Sequence, residues 1–178
     1  EPIEMAIKEL SQKYKQYTID MRREFHMYPE LSMREERTAR RIREELDKMG
    51  IPNVALAGTG VLATIKGKGS GKTIALRADI DALEITEKTD APYKSRHEGI
   101  MHACGHDNHA AMLLGAARLL KEAQAELSGT VYFCFQSAEE VGGGAKPILQ
   151  YLAAEGGVDR VISAHVWADA PSGQMALI

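Results

Sequence analysis

Three short segments of this chain gather side chains that bind metals and move protons: His102-Ala103-Cys104-Gly105-His106-Asp107, then Glu139-Glu140, then Ala164-His165-Val166. Thiolate, imidazole and carboxylate are ligands for zinc and its neighbours in the transition series. In an extended segment a C-x-H spacing points Cys104 and His106 the same way, and a helix starting just beyond them favours thiolate over thiol. Glu139 and Glu140 directly follow an apolar run. Once strand geometry ends, adjacent side chains diverge, so one carboxylate can bind metal while the other takes a proton from metal-activated water. Gly142-Gly143-Gly144 gives little bulk and much backbone freedom beside them. Together these features suit a hydrolytic metal site. Each also has an ordinary reading: an incidental loop for C-x-H, a solvated surface for the glutamate pair, a structural strand-end residue for His165. A cysteine nucleophile paired with a histidine is a rival chemistry, disfavoured because the nearby carboxylates oppose a thiolate that has no metal.

The elements that must position these groups alternate in type. Apolar residues at every third or fourth place predict a first helix from about Ile3 to His26, broken by Tyr28-Pro29-Glu30. Ser32-Met33-Arg34-Glu35 has the form of a capping box opening a second helix, which Gly50 caps and Pro52 stops. Strands are expected at Gly60 to Ile65 and Thr73 to Ala78, with Gly67-Lys68-Gly69-Ser70-Gly71 between them as a hairpin turn. A helix from Asn108 to Leu127 with Asp107 as N-cap, a buried strand from Thr130 to Gln136, a helix from Lys146 to Glu155 and a strand from Arg160 to Val166 follow. Cys134 lies within the buried strand and has the setting of a core thiol. Such alternation predicts an α/β protein, a mixed sheet with helices on both faces, and in such sheets ligands bind beyond the carboxyl ends of strands. Asp79, Asp81, Glu139, Glu140 and His165 all fall at such ends. Asp81 is a candidate to orient a metal ligand from behind. His109 has the place of a group that supports a metal ligand from behind or caps the helix, His102 is unassigned, and His26 and His97 have no informative spacing.

The 178 residues fit one domain, and a hydrophobic fraction of 44% is enough for a core. A net charge of −3 points to neither nucleic acid nor a membrane surface. Apolar runs fall well short of the roughly 18 residues that span a bilayer. Two cysteines make no disulfide framework, and a reduced, cytoplasmic protein is the simplest expectation.

Taken in order, Arg23-Glu24-Phe25-His26 to Pro29-Glu30-Leu31-Ser32, Leu76-Arg77-Ala78-Asp79-Ile80-Asp81-Ala82-Leu83, Met101 to Asp107, Gln136-Ser137-Ala138-Glu139-Glu140 and Ala164-His165-Val166 resemble the amidohydrolase branch of the aminoacylase/carboxypeptidase family of co-catalytic zinc peptidases. That resemblance implies a zinc-peptidase-like catalytic domain with Cys104, His106, Glu140 and His165 as ligands of two divalent metal ions, zinc first, with manganese, cobalt or nickel also suited. It implies Glu139 as the general base, Asp81 as the acid behind the site, and hydrolysis of the amide bond of N-acyl amino acids or small peptides. The alternative is a module that keeps metal and turns nothing over. Glu84, Ser137 and Val141 depart from the family pattern, which favours Pro, Pro and Gly there. The resemblance spans the N-terminal half of the family. The expectation is therefore one catalytic-domain piece over residues 1–178, without the lid or dimerisation domain and the C-terminal catalytic segment, weakly active or inactive alone. A parent of this kind would form a homodimer through the absent domain.

Overall fold

The computed structural model describes residues 2–176. The side chain of Ile3, where the sequence reading starts the first helix, lies outside the described side chains. Two helices, α1 (Pro2–Lys13) and α2 (Lys15–Met27), precede α3 (Glu36–Lys48). The short β1 (Asn53–Ala55), β2 (Val61–Lys66) and β3 (Thr73–Asp79) come next, then α4 (His106–Glu122) and a single 3₁₀ turn. Finally β4 (Thr130–Gln136), α5 (Ala145–Ala154) and β5 (Arg160–Ser163) close the order. The five strands form one mixed sheet in the order β1-β2-β4-β3-β5. β3, β4 and β5 run parallel, while β1 and β2 are antiparallel to their neighbours.

Strands in the middle of such a sheet are covered on both faces and become almost continuously apolar. The run Val131 to Phe135 shows why. Phe133 and Phe135 join Met21 and Phe25 of α2, Ile42 and Leu46 of α3 and Leu113 and Leu114 of α4 in one core. The alternate residues Tyr132 and Cys134 face Ile148 and Leu152 of α5 on the other side. The helix leaving β3 therefore lies on one face and the helix leaving β4 on the other. Between two adjacent strands whose outgoing connections part in this way, a crevice opens at the carboxyl ends. The fold class expected from the sequence, a mixed sheet with helices on both faces, is the one observed.

Local expectations fared unevenly. The first helix is interrupted at Tyr14 (φ −97°, ψ 7°), where Tyr14 and Lys13 both bind Glu122 at the end of α4. The expected hairpin does not form, because β4 lies between β2 and β3 and pairs with each. The glycine-rich link instead runs past the end of β4. A Cβ on Gly67 would sit 2.3 Å from the Leu127 carbonyl oxygen and one on Gly71 2.6 Å from the Gly129 nitrogen, so the glycines serve a close backbone approach rather than a tight turn. The capping box is also absent: α3 starts at Glu36, and the Arg37 and Thr38 amides donate to the Glu30 carboxylate at 3.0 and 2.7 Å. Gly50 does take the left-handed cap conformation (φ 65°). β5 stops at Ser163, so Ala164 to Val166 belongs to the following loop.

Candidate metal centre

The crevice collects the groups singled out in the sequence. After β3 the chain delivers Asp81, and after β4 it turns sharply to present Glu139 and Glu140. The loop ending at Gly105 delivers Cys104 and then His106, and the loop after β5 brings His165. Gly105 is the N-cap of α4 with φ 90°, and a Cβ there would come within 2.4 Å of Val166. A glycine is thus required where the Cys104 and His165 loops meet. Asp107 is not the N-cap that spacing suggested: its carboxylate is buried and occupied by His26 and Arg22, at 2.7 and 2.9 Å.

His106 is the hub. Its Nδ1 lies 3.1 Å from Asp81 Oδ1, and its Nε2 lies 3.7 Å from oxygens of Glu139, Glu140 and Asp79. That Nε2 is buried and has no hydrogen-bond partner among the described residues. Cys104 Sγ is 3.5 Å from His165 Nε2, and His165 turns its Nδ1 to the Val166 carbonyl at 2.5 Å, leaving the Nε2 lone pair toward the thiol. One donor atom each from Cys104, His106 and His165 lies within 4.8 Å of the others, and the same holds for His106, Glu139 and Glu140. Asp79, His106 and His109 also cluster within that distance. There, however, His109 uses both nitrogens for hydrogen bonds: Nδ1–H donates to Asp79 (2.5 Å) and Nε2 accepts from the Val166 amide (2.9 Å). His109 thus braces the chain next to His165, the supporting role its position suggested.

The electrostatics favour a cation. Burial, then the charges of Glu140, Glu139 and Asp79, push the Cys104 thiol up to about 11, so the protein alone keeps it protonated. This disfavours a cysteine nucleophile. Burial works against charging His106, yet the hydrogen bond to Asp81 and the nearby carboxylates outweigh it and raise its pKa. Asp81 faces the same penalty, but its bonds to His106, to the Ser32 hydroxyl (2.7 Å) and to the Glu140 amide (3.0 Å) bring it down to about 2. A thiol, two imidazoles and two carboxylates around a buried, unpartnered lone pair form a donor set that fits a divalent metal of the zinc type, with Asp81 orienting His106 as carboxylates behind metal-binding histidines do.

Sequence reasoning missed two groups. Glu35 is fully buried and accepts from the Thr59 hydroxyl and, at 2.8 Å, from the Ala138 amide. His26, also buried, is clamped between Asp107 and Glu87 at 2.7 and 3.0 Å. No local pattern announces either, since their partners lie far along the chain. His102 is buried with neither ring nitrogen hydrogen-bonded among the described residues, and burial pulls its pKa down to about 4.

An α/β sheet with thiol, imidazole and carboxylate donors converging beyond its parallel strand ends has the donor set of a metal-binding α/β protein. Known proteins narrow this further. Residues 75–177 match Peptidase family M20/M25/M40, and the chain belongs to that family. It is 45% identical over 161 residues to the N-acetylcysteine deacetylase of Bacillus subtilis, covering 89% of this chain and 42% of the relative. It is 46% identical over 164 residues to thermostable carboxypeptidase 1 of Saccharolobus solfataricus, covering 90% and 42%. Among solved structures it resembles the YXEP protein of Bacillus subtilis, described as a dinuclear metal binding peptidase from the M20 family. That match has a TM-score of 0.85 and 44% identity, covering 91% of this chain and 46% of that one. The chain thus spans about two fifths of the length of the curated relatives it matches.

Proposed function

We propose that this chain carries the metal-holding and proton-transferring part of an amidohydrolase that cleaves the amide bond of N-acyl amino acids or small peptides. The observation that carries this reading is the His106 Nε2 lone pair, buried without a hydrogen-bond partner among the described residues and ringed by carboxylate oxygens at 3.7 Å. The relatives support the substrate class, since a deacetylase of N-acetylcysteine and a carboxypeptidase both act on an amide bond to an amino acid. Cys104, His106, Glu140 and His165 would hold two divalent ions. Zinc suits the thiolate-containing set best, and manganese, cobalt and nickel are accepted by the same donors. When bound, such ions polarise a scissile carbonyl and acidify a water molecule.

The chain's own residues do the rest. Asp81 accepts the Nδ1 proton of His106 and so presents the Nε2 lone pair to the crevice. Glu139 is the more open of the two glutamates, its side chain 39% exposed against 22% for Glu140. That exposure suits Glu139 to meet water and substrate, to take the proton of the attacking water and to pass it to the departing amine. Free Cys104 and Cys134 suit a reducing compartment such as the cytoplasm.

Elemental analysis of the dialysed chain tests the metal reading: one to two divalent ions per chain are expected, and Cys104→Ala or His106→Ala should lower the ratio. A wild-type ratio of zero would sink it. In the full-length protein, Glu139→Gln should keep the metal and lose about 10²- to 10⁴-fold in turnover of an N-acetyl amino acid. A metal-retaining binding module would instead show no turnover for Glu139→Gln to remove.

A further inference from the structure

Glu35 stands at the N-terminal boundary of α3 yet makes no side-chain cap there. Glu30 caps that helix instead. The Glu35 carboxylate is fully buried and has no cationic partner among the described residues. A buried carboxylate in that position must be held by donors, and its donors are the Thr59 hydroxyl and the Ala138 amide. Ala138 is itself buried and sits at φ 51°, a left-handed conformation that a residue with a Cβ seldom takes without a holding contact. Two residues on, the Glu140 amide donates to Asp81. The residue between these two gripped amides is Glu139.

We infer that Glu35 is a positioning residue: its carboxylate grips the turn on one side of Glu139 while Asp81 grips it on the other, so that Glu139 and Glu140 face His106. The inference rests on the metal reading above for its consequence, and on the hydrogen-bond geometry alone for the grip. The rest of the turn is built to be held. The Gly143 amide donates to the Ala138 carbonyl and the Gly142 amide to that of Glu139, at 3.2 and 3.0 Å. A Cβ on Gly144 would lie 1.5 Å from the Ser137 carbonyl oxygen. Such a turn has one compact form, and Glu35 fixes its first amide.

Hydrogen count distinguishes the informative variants. Glu35→Gln keeps an oxygen for the Ala138 amide and offers its NH₂ to Thr59, whose hydroxyl can turn to accept. Glu35→Ala leaves both donors orphaned. Glu24→Ala is the control, because it loosens α3 by removing the ion pairs to Arg37 and Arg41 without touching the turn. Two measurements on the chain decide the matter: backbone amide exchange residue by residue, and titration with Co²⁺ followed by its visible absorption. Glu35→Ala should speed exchange at Ala138 and Glu140 by about tenfold or more relative to β4, weaken Co²⁺ binding by a similar factor and alter the cobalt bands. Glu35→Gln should stay within about threefold of wild type in both, and Glu24→Ala should spare the turn. If Glu35→Ala speeds the turn no more than β4, or loosens it while Co²⁺ affinity and spectrum hold, the inference is overturned. Should that variant not fold, Thr59→Val, which strips one donor from the carboxylate, is expected to loosen the same amides about threefold, and no loosening overturns it. A wild-type chain that takes up no Co²⁺ would sink the metal reading, and the exchange comparison would still decide whether Glu35 holds the turn.

Discussion

Asp81 shows how much one side chain can organise. Oδ1 accepts from His106, and Oδ2 accepts from Ser32 and from the Glu140 amide, so both oxygens serve only as acceptors. An amide in its place would turn an NH₂ toward at least one of those donors. The hydroxyl of Ser32 can rotate away, but the Glu140 N–H and the His106 Nδ1–H cannot. Asp81→Asn is therefore expected to weaken metal binding by roughly 10- to 100-fold, read by competition against a chromophoric chelator. Affinity within twofold of wild type would mean that something else orients His106. At this scale the sequence was informative wherever chemistry is local: Cys104 and His106 share one loop, Glu139 and Glu140 one turn. Glu35 and His26 escaped because their partners, Ala138 and Asp107, lie 103 and 81 residues away, beyond any spacing rule.

Among elements, the start of α4 has an anchor that titrates. Both nitrogens of His26 in α2 face carboxylates, Asp107 of α4 and Glu87 of the loop after β3, and both can donate only when the ring is an imidazolium. The hydrogen bond to Asp107 raises the pKa of His26 against the opposing effect of burial, and Glu87 adds to the rise. A folded-state pKa above the unfolded value of about 6.5 means stability that is complete below that value and lost as pH climbs through the folded one. Melting temperature should accordingly fall as pH rises above the unfolded-state value of about 6.5, and His26→Gln should flatten that slope. Parallel slopes in the two proteins would show that His26 does not carry the charge. The same contact explains why Asp107 is no helix cap. Where sequence and structure part company at this scale, a distant partner has taken a group that local rules had assigned: Ser32 to Asp81, Glu35 to Ala138, Asp107 to His26. β4 was legible to the residue because its apolar run is covered on both faces. The failed hairpin was not, because adjacency in the chain says nothing about a strand that arrives later and inserts.

The whole molecule presents an asymmetric sheet. Among the described residues β5 pairs only with β3, and its Val161 and Ile162 are 62% and 53% exposed, with Trp167 close behind at 69%. An apolar edge with unpaired backbone groups is a template for further strands, and a net charge of −3 offers little repulsion. Light scattering should find the chain self-associating, and Val161→Lys should shift it toward monomer with metal content unchanged; a monodisperse wild type would show the edge to be harmless. The insertion of β4 between β2 and β3 also has a consequence in time. On the ribosome, β1, β2 and β3 emerge before the strand that joins them, and about 50 residues separate the end of β3 from the start of β4. At roughly 5–20 residues per second, the nascent half-sheet waits some 3–10 s with its future interior edges bare. Throughout that interval the polypeptide most needs a chaperone's shelter, and Glu140 and His165, the later of the candidate metal donors, have not yet been made.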